Sequence, residues 1–137
     1  MSYKSIFLIL WGGFLLIGCE ESSSEEFQYF DIKSQLTNLY LDGYDGYFHT
    51  DWNIINTTDQ ILGGWEIQVR VVTSSYQIET GIFFQHDTHI LPGDTARFDN
   101  NIMFHRDSEN IFPISLSVPD TTIRSWKVFY TRGIVFN

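Results

Sequence analysis

The chain has 137 residues, of which 43% are hydrophobic, 17% aromatic and 18% charged; this excludes a compositionally disordered chain and leaves no room for two full-sized domains. Seventeen Asp and Glu against eight Lys and Arg give a net charge of −9, a balance that repels nucleic acid and anionic lipid headgroups. A single cysteine excludes an intrachain disulfide, so the body of the chain must be held by its core.

In chain order, Lys4 supplies a short positive region. Ile6 to Leu10, Trp11, Phe14, Leu15 and Leu16 then supply an apolar stretch with no charge before Glu20. Ser5 to Gly18 is fourteen residues, short of the roughly 20 that span a bilayer core. The run Leu16-Ile17-Gly18-Cys19 closes this stretch and resembles the lipobox of bacterial lipoproteins. The resemblance implies cleavage of residues 1–18, diacylation of Cys19 and anchoring of the new N-terminus, durable because each buried methylene contributes about 0.8 kcal/mol. An ordinary secretory signal with a chance cysteine is the alternative. Processing removes only Lys4 among the charges, leaving the mature chain at −10.

Residues 19–26 read as the lipidated cysteine and a tether. Glu20-Glu21-Ser22-Ser23-Ser24-Glu25-Glu26 has no apolar residue and should stay solvated and extended. Glu20 is not the Asp that marks inner-membrane retention in some bacterial lipoproteins. The acidic patch behind the cysteine is similar to the export signal of surface-exposed lipoproteins in the Bacteroidetes. The expected address is the cell envelope, on the outer membrane and open to the cell surface.

From residue 27 to 137 the apolar pattern has period two, with turn residues between the runs. A first strand is expected around Gln28 to Leu36. Next come Phe48, Thr50, Trp52 and Ile54 alternating with His49, Asp51 and Asn53, and a turn at Asn56-Thr57-Thr58-Asp59. Trp65, Ile67, Val69 and Val71 share one face of the clearest strand while Glu66, Gln68 and Arg70 share the other, which predicts a core side and a wet side. Tyr76 to Phe84 reads as a strand broken near Gly81, and Pro92-Gly93-Asp94 is a turn ahead of Thr95 to Phe98. Ile114, Leu116 and Val118 form a further run. Trp126, Val128 and Tyr130 form another, with Gly133 separating a terminal Ile134-Val135-Phe136. The expectation is an all-β chain, an immunoglobulin-like antiparallel β-sandwich of about seven or eight strands behind a cleaved signal helix, with a small barrel as the alternative.

Residues 52–98 carry a strand ending in Asn56, a strand with alternating valines, and Leu91-Pro92-Gly93-Asp94-Thr95 ahead of another strand. This resembles bacterial immunoglobulin-like envelope domains of the FxLYD kind, although Val69-Arg70-Val71-Val72-Thr73 stands where that family has its aromatic-x-Leu-Tyr-Asp run. Such domains are mostly adhesive or structural modules, and the resemblance implies no activity.

Residues that carry chemistry are few. His86 and His89, with His49 and His105, supply imidazoles, but residues three apart on a strand face opposite sides and do not converge on a zinc ion; no metal site is expected. Asp42-Gly43-Tyr44-Asp45-Gly46, followed by Asp51, reads either as a calcium-binding loop or as a turn using Asp and Gly for their backbone preferences. Nucleophile elbows and phosphate-cradling glycine loops are absent from the sequence, so neither enzyme activity nor a cofactor is expected. Tyr40, Tyr44, Tyr47, Phe48 and Trp52 cluster beside Asp42 and Asp45; aromatic faces with nearby carboxylates stack on sugars and bond their hydroxyls, while core packing and turn roles are the competing and preferred account, since half of these rings must point inward in any sandwich. Asp94-Thr95-Ala96 and Asp120-Thr121-Thr122 match the pattern at which Bacteroidetes attach O-glycans, making Thr95 and Thr121 candidate acceptors. The expected function is a membrane-anchored, non-enzymatic β-sandwich that acts as a binding or structural module toward an envelope protein or glycan. The alternative is a carbohydrate-binding accessory lipoprotein using Tyr40, Asp42, Tyr44, Asp45, Tyr47 and Trp52.

Overall fold

The computed structural model of the chain describes residues 26–41, 46–115 and 123–136. Cys19 and the leader, Asp42, Tyr44, Asp45 and Thr121 lie outside the described residues. The described residues form nine strands and no helix: β1 (Phe27–Asp31), β2 (Lys33–Leu41), β3 (Phe48–Ile55), β4 (Leu62–Thr73), β5 (Ile78–Ile90), β6 (Thr95–Ile102), β7 (Phe104–Arg106), β8 (Ile111–Pro113) and β9 (Ile123–Phe136). They build two antiparallel sheets, a six-stranded one in the order β1-β9-β4-β5-β7-β8 and a three-stranded one in the order β2-β3-β6.

This is the expected all-β sandwich. The small sheet pairs β3 with β6, and the large sheet pairs β4 with β9. The observed strands differ from the expected seven or eight at several points. The first expected strand divides at Ile32, whose N–H bonds to the Thr131 carbonyl at 3.1 Å, so β1 pairs with β9 in the large sheet and β2 with β3 in the small one. β7 and β8 are three residues each, too short for alternation to reveal; of the expected run at Ile114, Leu116 and Val118 the last two lie outside the described residues, and the two runs from Trp126 to Phe136 are one strand.

Two glycines read as interruptions lie inside continuous strands instead. Gly81 sits within β5, where a Cβ would meet Met103 Cγ at 2.6 Å and the Phe104 carbonyl oxygen at 2.8 Å. Gly133 sits within β9, where a Cβ would meet Leu62 Cδ2 at 2.6 Å. Both positions take glycine because a neighbouring strand or side chain passes too close for any side chain.

The core is the space between the sheets. Trp65, Ile67, Val69 and Val71 of β4 face it, all fully buried, opposite Phe48, Trp52 and Ile54 of β3. Trp52 is its centre: its ring lies 5.8 Å from Phe83 and 6.2 Å from Trp126, centroid to centroid, and its indole N–H donates to Thr50 Oγ1 at 2.8 Å.

The two turns at one end of the sandwich are joined by Asn56, which is fully buried. Its Nδ2 donates to the carbonyls of Gln60 (2.7 Å) and Ile90 (2.9 Å), and its Oδ1 accepts from the Thr58 N–H at 3.0 Å. Its own backbone bonds to the Pro92-Gly93-Asp94 turn, N–H to the Asp94 carbonyl and carbonyl from the Gly93 N–H, both at 2.9 Å. The asparagine after β3 and the proline-glycine turn after β5 are therefore one structure. Asn56→Ala would strand buried carbonyls at about 1–3 kcal/mol each, so chemical denaturation should show a loss of about 3 kcal/mol. Thr57→Ala, at an exposed neighbour, should stay within about 0.5 kcal/mol of the parent chain.

Candidate functional site

Strand β4 has two faces, and the one turned away from the core was expected to be wet. Arg70 on that face is exposed and Gln68 is half-buried, but Glu66 is only 1% exposed. The correction follows from the position of β4 between β9 and β5: in register with Glu66 stand Arg132 on one side and Phe84 on the other, and Arg106 reaches over from β7.

Four donors meet the Glu66 carboxylate. Arg106 approaches end-on, Nη1 to Oε1 at 3.1 Å and Nη2 to Oε2 at 3.0 Å. Arg132 Nη2 donates to Oε1 at 3.0 Å, and the Tyr130 hydroxyl donates to the same oxygen at 2.6 Å. The Arg132 guanidinium is itself held between two rings, 4.0 Å from the centroid of Tyr29 and 4.7 Å from that of Tyr130, an arrangement that favours the cation electrostatically.

These contacts fix the charge states. Burial pushes the Glu66 carboxyl upward, but the Tyr130 hydroxyl and the Arg106 guanidinium, with Arg132 behind, outweigh it and hold the pKa below its ordinary 4.5. Burial first, and then the bond to Glu66, push the Tyr130 hydroxyl up from 10.0 to about 12. Near neutral pH the cluster therefore holds a carboxylate, two guanidinium cations and a neutral phenol.

Above this floor the outer face of the large sheet opens into a cavity of about 370 Å³. Its walls come from segments far apart in sequence: Phe27 and Tyr29 of β1, Ile134 and Phe136 of β9, and His86 with Asp87 of β5. Phe27 and Phe136 meet edge to face at 5.1 Å. Tyr29 is 50% exposed, and both phenylalanines are also exposed. Asp87 has a φ of +59° at a bulge where β5 carries Asp87, Thr88 and His89 opposite the single Gly63 of β4; the left-handed backbone there lies at the cavity rim.

The residues singled out from the sequence are placed elsewhere. Trp52 is 1% exposed in the core and has no face to offer a sugar, which corrects its proposed role; Phe48 is buried with it. Tyr40 is 39% exposed, but its ring stacks on His49 at 5.1 Å and its hydroxyl donates to Asn100 Oδ1 at 2.6 Å. Tyr47 is half-buried beside Phe48. Asp51 Oδ1 accepts the Asn100 N–H at 2.9 Å, with Arg97 at 3.5 Å from the other oxygen, so this carboxylate serves the bulge of the small sheet. The histidines are dispersed: His86 packs on Phe84, His49 on Tyr40 and His105 on Phe112. Among the described residues, no three His, Cys, Asp or Glu side chains come together. His86 and His89 lie within β5. Thr95 is exposed at the first position of β6.

Sequence reasoning passed over Glu66, Arg106, Tyr130, Arg132 and the rim aromatics. One local signal was present: Tyr130, Arg132, Ile134 and Phe136 recur at period two and so share a face. No protein-family model matches the chain, and comparison with characterised proteins and with solved structures returns no match.

Removing the Glu66 charge leaves two guanidinium cations without the anion that both of them pair with. Glu66→Gln should lower unfolding free energy by about 3–5 kcal/mol. The pH dependence has two limits. The stabilisation from Glu66 is present above about pH 4.5 and is lost as pH falls through its lower folded value. That from Tyr130 is present below pH 10 and is lost as pH rises toward 12. Thermal melts across pH should show both declines in the parent chain, and Tyr130→Phe should remove the alkaline one contributed by this group.

Proposed function

We propose that the chain is an envelope lipoprotein, lipidated on Cys19, whose β-sandwich is a non-enzymatic binding module with its ligand site in the cavity over Glu66. The observation that carries the binding reading is the buried Glu66 carboxylate on the outward face of β4, clamped by Arg106 and Arg132 beneath a rim of exposed aromatic rings. A fold does not need a buried ion cluster on the solvent side of its sheet, because apolar residues of similar volume are often as stable there. Fixed charges at the base of a concave, aromatic-walled surface are what a small-molecule site uses for orientation.

The charge states favour binding over catalysis. A general acid at neutral pH needs a raised carboxyl pKa and a general base needs a group poised near the working pH. Glu66 is pushed the other way, and Tyr130 is held protonated far above neutrality.

The anchor rests on the sequence: Lys4, the apolar stretch, Leu16-Ile17-Gly18-Cys19 and the acidic run after it. The outer membrane, with the domain facing the cell exterior, is the address this run supports. In the native host, labelled fatty acid should enter the parent chain and be absent from Cys19→Ala, and the variant should leave the membrane fraction. If Cys19→Ala still partitions with membranes, the lipidation reading fails.

A further inference from the structure

We propose that the cavity over Glu66 binds a neutral sugar ring, one residue of a glycan laid against Tyr29 and Phe136. This rests on reading the cavity as a ligand site and adds the class of ligand. At about 370 Å³ the cavity lies at the small end of small-molecule sites, which run from roughly 300 to 1,000 Å³, so it suits one or two rings rather than an extended polymer chain. Its fixed charges cancel: Arg106 and Arg132 stand against Glu66 and Asp87. A ligand carboxylate or phosphate would be drawn by the arginines but repelled by Asp87 and by Glu66 behind them, and an ammonium would meet the reverse.

A hydroxyl both donates and accepts, so a polyhydroxylated ring can use every group present. Arg106 spends one N–H from each of Nη1 and Nη2 on Glu66, and a guanidinium has five, leaving donors on a side chain that is partly exposed. Asp87 supplies acceptors at the rim, and His86 adds ring nitrogens. The walls complete the match, since the apolar C–H face of a pyranose packs on aromatic rings. One face of Tyr29 is covered by Arg132, which stiffens the ring while half of the residue stays exposed. The carbohydrate reading drawn from the sequence thus moves from residues 40–52 to the outer face of the large sheet.

The test uses the full-length chain in a zwitterionic, sugar-free detergent, with saturation-transfer NMR and titration calorimetry against neutral and acidic oligosaccharides, free and displayed as glycolipid in vesicles. The parent chain should bind neutral sugars in preference to acidic ones. Tyr29→Ala should weaken that binding about tenfold, and Tyr76→Ala, at an exposed tyrosine remote from the cavity rim, should leave it unchanged. Asp87→Asn, which tolerates the left-handed backbone at 87 and leaves the charge balance positive, should shift preference toward acidic sugars. Binding to the free sugar assigns the source to solution, and binding only to vesicles assigns it to a membrane; either supports the proposal. If neutral sugars fail to bind at millimolar concentration while an acidic glycan binds and is lost in Tyr29→Ala, the sugar class is overturned and the cavity stands as a ligand site. If Tyr29→Ala and Asp87→Asn leave the affinity of every bound probe unchanged, the cavity reading falls as well.

Discussion

A carboxylate taken out of water costs several kcal/mol even after a protein relaxes around it, and Coulomb attraction offsets this only where partners arrive in good geometry. Glu66 imposes that condition on the outward face of the large sheet. Arg132 must be directed at it from β9, Arg106 must be brought over from β7, and Tyr130 must stay protonated to donate the remaining short bond. Arg132 is in turn kept straight by Tyr29, which draws β1 into the same arrangement. Four strands thereby depend on one anion. Apolar residues of similar volume in place of the whole cluster are often as stable, so stability alone gives no reason to prefer the ions. The preference makes sense where the charges are used by something outside the fold.

The two faces of the large sheet thus divide the work. The inner face is ordinary packing, with Trp52, Phe83 and Trp126 forming a three-ring centre between the sheets. The outer face is polar at its base and aromatic at its rim, which is the reverse of a solvated surface. Asn56 holds the strand ends in place from the far side of β4's N-terminus by tying two turns to each other. The consequence is that the bulge carrying Asp87 extends from a strand whose end at Ile90 is fixed by that asparagine.

The inner face was readable from the sequence and the outer one was not, for a physical reason. Alternation at Trp65, Ile67, Val69 and Val71 is a local property, and any sandwich must bury that side. Whether the other side meets water depends on which side chains reach over it, and Arg106 of β7 and Arg132 of β9 come from strands more than thirty residues away in sequence. Glycine hid more of the fold: at Gly81 and Gly133 the letter that signals a break instead allowed close approach of Met103 and Leu62. The aromatics from Tyr40 to Trp52 looked like a binding edge because they are dense in sequence, yet alternation sends Trp52 and Phe48 inward. The rings that are exposed together, Phe27 and Phe136, are separated by nearly the whole domain and meet only through the register of β1 on β9.

That register has a mechanical side. Strand β1 is five residues long, lies at the sheet edge and pairs with β9 alone, and it begins one residue after the acidic run that follows Cys19. The eight residue-to-residue steps from Cys19 to Phe27 reach at most about 28 Å when fully stretched, so a domain held through that cysteine would keep the cavity within one short span of the lipid. Tension on such an attachment enters at Phe27 and would unzip β1 one pair at a time, Phe27 from Phe136 and then Tyr29 from Ile134, before it reached any core residue. Were the chain held through Cys19, the wall of the cavity and the first strand to take the load would be the same, and a pull on the domain would be felt first as a change in the shape of the pocket.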